Sequence, residues 1–263
     1  MKRSEPYNPQ NAVLGTDESK VIGADPAGAN DETTAAVAVR EMFGSIAPKY
    51  DLLNHVLSMN VDRLWWNRAA RTFDAVLSGP QARVLDLCCG TGDMTFALHR
   101  RTRSDSVDVV GADFSHPMLV RATEKSGARR LRWVEADALN LPFREAYFNL
   151  VTAAFGFRNL ANYDRGLEEI YRILADGGEV GILDFGEPKG LFGVLYRYYF
   201  RNVLPKLGTL LSGVNGPYAY LPRSVQRFPS PEEMLKRMRA VGFRQVSFTP
   251  YTFGIAGLYC GKK

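Results

Sequence analysis

The stretch VLDLCCGTGDMT, Val84 to Thr95, gathers residue types that can hold a small polar molecule. An apolar run stops at an acid, two cysteines follow, and two glycines then flank a threonine. Gly90 and Gly92 allow a tight turn and a close backbone approach to a ligand. Asp93, at the start of the next helical pattern, suits the positive end of a helix. Asp113 closes a second apolar run 23 residues after Gly90, where a carboxylate can accept hydrogen bonds from a ribose diol. Asp137 follows a third run, in EADALNLPF (Glu135 to Phe143), where Asp137, Ala138 and Leu139 can cradle a base. Ligands of open α/β sheets lie beyond the carboxyl ends of the strands. Asp86, Gly90, Gly92, Asp113, Asp137 and Ala138 are therefore the cofactor candidates.

Two cofactor classes suit this plan. A dinucleotide needs G-x-G-x-x-G to hold its pyrophosphate. Here the third glycine position is Thr95, so that fingerprint is broken. S-adenosylmethionine has no phosphate; it needs the first turn, a ribose acid and an adenine partner. Each signal alone also fits a tight turn and helix caps. The three together favour the sulfonium nucleoside.

The elements that must position these residues follow from periodicity. Helical spacing is expected over Ala36 to Tyr50 and Leu53 to Leu77, with a break near Pro48. Arg83 to Leu87 reads as a short buried strand, Gly92 to Arg101 as a helix, and Val107 to Asp113 as a second strand. Ser115 is the expected N-cap of a helix running to Lys125. Leu131 to Ala136 and Asn149 to Ala154 are strands three and four, with Tyr163 to Leu174 a helix. Asp176-Gly177-Gly178 reads as a turn before a fifth strand, Glu179 to Asp184. A late helix, Pro231 to Val241, precedes two strands, Gln245 to Thr249 and Ile255 to Cys260. Strands alternating with helices predict a mostly parallel sheet of seven strands covered on both faces. The last two strands have no helix between them and should pair antiparallel as a hairpin.

The chain has 263 residues, 46% hydrophobic and 23% charged, with net charge +5. That composition belongs to a globular protein with a sizeable core. The mild basic excess suits an anionic substrate, a membrane surface or a solvated face rich in arginine. Three cysteines, Cys88, Cys89 and Cys260, have neither disulfide nor zinc spacing, and His55, His99 and His116 are scattered. Reduced thiols, a cytoplasmic location and no metal site are expected. No apolar run reaches membrane-spanning length, and residues 1–33 lack the apolar core of a secretory signal. That stretch reads as a disordered tail. Residues 34–263 form the folded domain, with 34–78 as a helical cap on the substrate side and 188–228 as an insertion or lid.

Longer motifs carry a resemblance. EMFGSIAPKYDLLNHVLSMNVDRLWW (Glu41 to Trp66), GFRN (Gly156 to Asn159) and PYTFGIAGLYCG (Pro250 to Gly261) are similar to signatures of the quinone C-methyltransferases of menaquinone and ubiquinone biosynthesis. The third is similar to the demethylmenaquinone branch. The resemblance spans about Val39 to Lys263. It implies the class I S-adenosylmethionine-dependent methyltransferase fold, which is Rossmann-like. By motif position it implies cofactor contacts from Thr91, Asp113, Asp137 and Ala138, and a prenylated quinol as methyl acceptor. Naphthoquinol and benzoquinol substrates both remain open, as does another small phenol. The sequence departs from the family at Asp62, where histidine is usual, at LADGG in place of LKPGG, and at Ala154, a serine in some members.

The implied chemistry names further candidates. A quinol hydroxyl titrates near about 10, so ionising it at pH 7 costs roughly 4 kcal/mol. A neighbouring cation recovers about 1–3 pKa units. Arg158 is the candidate for that charge and Asn159 for orienting the oxygen. A base must also take the ring proton. The candidates are Asp51, His55, Asp62 or a water held by Tyr50 and Asn54. GLFGVLYRYYFRNVLPKLGTLLSG, Gly190 to Gly213, is aromatic and basic, as expected of a lid or a surface-seeking element at the inner face of a membrane. A dimer face or a buried core helix suits the same composition, so a homodimer is a second expectation. No D/N-P-P-Y/F motif follows strand four and no basic module is appended, so nucleic acid is not an expected substrate.

Overall fold

A computed structural model of the chain describes residues 23–24, 26, 31–47, 60–104, 106–188, 190, 193–194, 198–199, 202 and 217–263. The first helix, α1 (Glu32–Ile46), starts four residues earlier than its apolar spacing predicts. The cause is a cap: Asp31 accepts the N–H of Thr34 at 2.8 Å, which satisfies one orphan donor of the first turn. Helix α2 (Val61–Thr72) and the short α3 (Asp74–Leu77) replace one long expected helix. They part at Phe73, whose ring is buried against Gly181, where any Cβ would come within 2.4 Å of it.

Then the alternation begins: β1 (Arg83–Leu87), α4 (Asp93–His99), β2 (Asp108–Asp113), α5 (His116–Ser126), β3 (Arg132–Glu135) and β4 (Phe148–Ala154). A 3-10 turn (Phe157–Asn159), α6 (Tyr163–Ile173) and β5 (Leu174–Phe185) follow. The chain closes with α7 (Pro217–Arg227), α8 (Pro231–Val241), β6 (Arg244–Tyr251) and β7 (Ala256–Lys262).

The seven strands stand in the order β3-β2-β1-β4-β5-β7-β6. The first five run parallel, and β7 pairs antiparallel with both β5 and β6. The order reverses between β1 and β4, so the crevice beyond those two strand ends is the switch point. Strand side chains alternate between two cores. Leu85, Leu87, Val151 and Ile182 face α6 and α8, whereas Val84, Val109, Leu150 and Leu183 face α2 and α4. Burial on both faces explains the unbroken apolar runs of the parallel strands.

The expected turn at Asp176-Gly177-Gly178 is part of β5, a departure from the sequence reading. Leu174 pairs with Phe148 and Glu179 with Leu150, so the slip in register is taken up between them. Gly177 absorbs it at φ 75°. The C-terminus supports the bend, since Gly177 donates to the Lys263 carbonyl and Lys263 to that of Gly178. Two residues of the expected tail, Gly23 and Ala24, meet the folded body. Gly23 and Ala24 donate backbone N–H groups to the carbonyls of Ala161 and Leu160 at 2.8 and 2.7 Å.

Candidate active site

β1 ends at Leu87 and the chain turns at once. Cys88 takes φ 53°, Gly90 φ 54° and Gly92 φ 89°. A non-glycine residue in that region costs about 1–2 kcal/mol, and the loop holds Cys88 there by bonds made through the next residue. Cys89 donates to the carbonyl of Ala112 on β2, and Gly92 donates to that of Cys89. Gly92 then caps α4. The result is a ledge at the carboxyl end of β1.

Asp113, ending β2, ties the ledge down. Its Oδ2 accepts the N–H of Gly90 at 2.8 Å and its Oδ1 that of Ser115 at 2.9 Å. Burial pushes this carboxyl up to about 6, against the lowering effect of those N–H groups and of Arg40. Each carboxylate oxygen has a second lone pair to offer a ligand hydroxyl. Ser115 stands at the N-cap of α5 as the sequence suggests, but its side chain accepts no capping hydrogen bond. Its Oγ is fully buried and has no hydrogen-bond partner among the described residues. A buried hydroxyl left unpaired beside an acceptor-only carboxylate is what a ribose diol would satisfy, so these residues fit a nucleoside.

Asp137 lies beyond the end of β3, where Asp113 and Glu135 are register partners. Its Oδ1 accepts the N–H of Leu139 at 2.9 Å, and its side chain is exposed. Ala138 and Leu139 beside it are buried. The wall of the site at this edge is α1. Arg40 bonds Glu135 Oε1, and His116 Nδ1 lies 3.1 Å from Glu135 Oε2. Thr91 is buried on the ledge, and Lys125 donates to its Oγ1 at 3.1 Å and to Asp93 at 2.9 Å.

Asp86 has a different position from its neighbours. It lies inside the sheet, and its two oxygens accept from Thr95 Oγ1 at 2.6 Å and Thr152 Oγ1 at 2.9 Å. Burial raises it to about 7. It links β1, α4 and β4 beneath the ledge, so its contribution is to hold the ledge in shape.

The turn after β4 lies against the same ledge because of one glycine. A Cβ at Gly156 would stand 2.3 Å from the Cβ of Cys88. This close approach brings Arg158 and Asn159 to the cofactor end of the sheet. Arg158 is buried and arrives paired: Nη1 donates to Asp184 Oδ1 at 2.9 Å and to the carbonyl of Phe155. Its charge is thus shared with a carboxylate. Asn159 is only half-buried, and its Oδ1 accepts from the Tyr220 hydroxyl at 3.2 Å. Asp62 is buried in the first turn of α2 and accepts the N–H of Arg63. It shares a helix face with Trp65, whose ring stands 5.7 Å from that of Phe155. Tyr50, Asp51, Asn54 and His55 lie outside the described residues, as does most of 190–213.

Asp184, Tyr220 and Lys125 were not candidates on sequence grounds. Asp184 carried the signal that singled out Asp86 and Asp113, an acid ending an apolar strand run. Tyr220 and Lys125 carried none, since they reach the site from distant helices.

A model of the ubiE/COQ5 methyltransferase family matches residues 29–263. The chain belongs to the ubiE/COQ5 methyltransferase family. A demethylmenaquinone methyltransferase of Deinococcus radiodurans is 50% identical over 236 residues, covering 89% of this chain and 95% of the relative. One from Thermus thermophilus is 49% identical over 84% of this chain and all of its own length. A ubiquinone/menaquinone biosynthesis C-methyltransferase UbiE of Geotalea daltonii is 41% identical over 86% and 96%. Among solved structures, the [4+2]-cyclase SpnF aligns with TM-score 0.61 at 16% identity, over 86% of this chain and 94% of its own. A SAM-dependent methyltransferase from Thermotoga maritima aligns with TM-score 0.60 at 19% identity, over 85% and 99%. These two confirm the class I methyltransferase fold that the motifs imply.

Proposed function

We propose that this family member methylates a ring carbon of a prenylated naphthoquinol, converting demethylmenaquinol to menaquinol, with S-adenosylmethionine as donor. The donor supplies, when bound, an electrophilic methyl group on sulfur. Asp113 and the orphaned Ser115 hydroxyl are the proposed ribose partners, with Gly90, Thr91 and Gly92 forming the floor. Asp137 and Ala138 are proposed at the adenine. The observation that carries the reading is the contact of Gly156 with Cys88. That contact supports siting the acceptor ring between the ledge and the Arg158–Asn159 turn. The choice of naphthoquinol is supported by the printed activities of the two relatives near 50% identity.

The protein's task is to make the ring carbon nucleophilic and hold it in line. Ionising one hydroxyl makes the carbon electron-rich. Asn159 donates to that oxygen, and the Arg158–Asp184 pair contributes an oriented dipole rather than a free cation. The ring carbon gains the methyl and loses its proton to a base. Asp62 is the described candidate for that role; the others lie outside the described residues.

The substrate's tail places it in a membrane. Among the described residues no helix is long and apolar enough to cross one. Exposed Leu64, Val194, Tyr198 and Phe253 support peripheral contact, which liposome co-sedimentation tests. The activity test is methyl transfer by purified protein to demethylmenaquinol, to a prenylated methoxybenzoquinol and to RNA, read by mass spectrometry. The naphthoquinol is expected to be the best acceptor. Faster methylation of either alternative would reject this reading.

A further inference from the structure

We propose that Tyr220 is a positioning residue for methyl transfer, turning the Asn159 amide so that its amino group faces the substrate oxygen. This rests on the reading above that Asn159 meets a quinol oxygen.

Asn159 ends the 3-10 turn whose other members, Phe157 and Arg158, are buried. Its backbone N–H is already engaged with the carbonyl of Gly156. The side chain is the group left to donate to a ligand. An asparagine amide presents an acceptor at one end and two donors at the other. The two ends exchange places when the group flips. Sequence and backbone do not decide between these faces.

Tyr220 decides. It reaches across from α7, 61 positions along the chain, and its hydroxyl donates to Asn159 Oδ1 at 3.2 Å. A phenol is a better donor than acceptor because its lone pair is delocalised into the ring. The acceptor end of the amide is therefore the end that Tyr220 holds. Among the described residues no acceptor takes the Nδ2 protons. The open end is the donor end.

That orientation selects one protonation state of the substrate. A quinol hydroxyl can donate or accept, and a flipped amide would serve its neutral form by accepting its proton. A quinolate oxygen only accepts. A fixed N–H donor favours the ionised form and so lowers the pKa of the bound hydroxyl. Donor face, ionised oxygen and electron-rich ring carbon then follow in one sequence. Tyr220 acts at its start, one side chain removed from the substrate.

The test uses the full-length protein, S-adenosylmethionine and a short-chain demethylnaphthoquinol kept reduced. kcat and KM are measured from pH 6 to 9 for wild type, Tyr220→Phe, Asn159→Ala and the double variant, with cofactor Kd by calorimetry. Tyr220→Phe is expected to lower kcat about tenfold, with cofactor Kd unchanged. The acidic limb of its pH profile should move up by about one unit. In the Asn159→Ala background, Tyr220→Phe should cost nothing further. An equal loss in both backgrounds, or an unmoved acidic limb, overturns the role of Tyr220 while leaving Asn159 in place. Wild-type turnover by Asn159→Ala overturns the reading of Asn159 itself, and this proposal with it. Asn159→Asp gives a check that does not depend on how Tyr220→Phe folds. It keeps an acceptor for Tyr220 but removes the donors, so it should be inactive with cofactor Kd intact. An active Asn159→Asp enzyme also overturns the proposal.

Discussion

Arg158 and Asp184 are joined twice, side chain to side chain at 2.9 Å and backbone N–H to carboxylate at 3.0 Å. Both side chains are almost wholly buried. Burial pushes the Asp184 carboxyl up, and Arg158 opposes that shift. Removing one partner leaves an uncompensated buried charge, which typically costs about 3–5 kcal/mol. Asp184→Asn should therefore unfold at much lower urea. Arg158→Met leaves a carboxyl that escapes by taking up a proton, so its stability should fall as pH rises above the ordinary carboxylate range. The pair Arg158→Met with Asp184→Leu should lose less than the sum of the singles. Strict additivity in the denaturation cycle would show that the pairing contributes nothing. For activity, Arg158→Ala should lower turnover far more than cofactor affinity.

The proposed ribose contact of the acid at the end of β2 predicts that cofactor binding depends on pH. Asp113 is held near about 6, above its ordinary 3.8, because burial disfavours its charge. In the proposed ribose contact a diol donates to this group, so the ionised form would be the binding form. Affinity for S-adenosylmethionine should rise as pH climbs through about 6 and level off above it. At pH 5 only about a tenth of the carboxyl is ionised, so Kd should be about tenfold weaker than at pH 7. Calorimetry at pH 5, 6 and 7 measures this, and Asp113→Asn should remove the slope along with most of the affinity. A flat profile in the wild type would place the ribose elsewhere.

Local chemistry made β1 legible to the residue: its apolar run is short and ends in a turn of glycines. The same logic misread Asp176-Gly177-Gly178 as a turn outside the sheet. There, pairing to Phe148 and to the chain's last residue overrides the local preference. The place of β7 between β5 and β6 was legible only in part. Its continuous apolar run, against the polar alternation of β6, marks it as the interior strand of the two, but pairing partners are a long-range property. Of the site, the acids at strand ends were visible as types. The hydrogen-bond settings of Asp86 and Asn159 depend on Thr152 and Tyr220, more than 60 positions away in each case. No window of sequence contains both members of such a pair.

The N-terminal segment is anchored by a contact that only glycine permits. A Cβ on Gly23 would lie 1.9 Å from the Leu160 carbonyl oxygen and 2.6 Å from the Ala161 carbonyl carbon, both backbone atoms. Backbone cannot step aside as a flexible side chain can, so even alanine should break the two hydrogen bonds made by Gly23 and Ala24. Hydrogen exchange at Gly23 and Ala24 should therefore accelerate more than tenfold in Gly23→Ala. The core strands β1 and β4 should keep wild-type exchange. Unchanged protection at Ala24 would mean that the segment is held by something other than this contact.

Asp86 gives the protein an unusual stability profile. Most carboxyls are lowered by folding and stabilise the native state at neutral pH. Asp86 is raised to about 7 from 3.8, with burial as the main cause and the nearby Asp113 adding to it. Between those values the folded protein holds a proton that the unfolded chain has released. Stability from this group is therefore present at low pH and lost as pH rises toward 7. Asp86→Asn keeps the shape and can still bond both threonine hydroxyls, one as acceptor and one as donor. It removes the titration. The wild type should lose stability relative to this variant by on the order of 2–3 kcal/mol between pH 5 and pH 7. Asp113 titrates in both proteins, so the difference between their urea midpoints reports chiefly on Asp86. If the gap between the two curves stays constant across that window, the carboxyl is already ionised in the folded state, and the two threonine hydroxyls stabilise its charge more than burial opposes it.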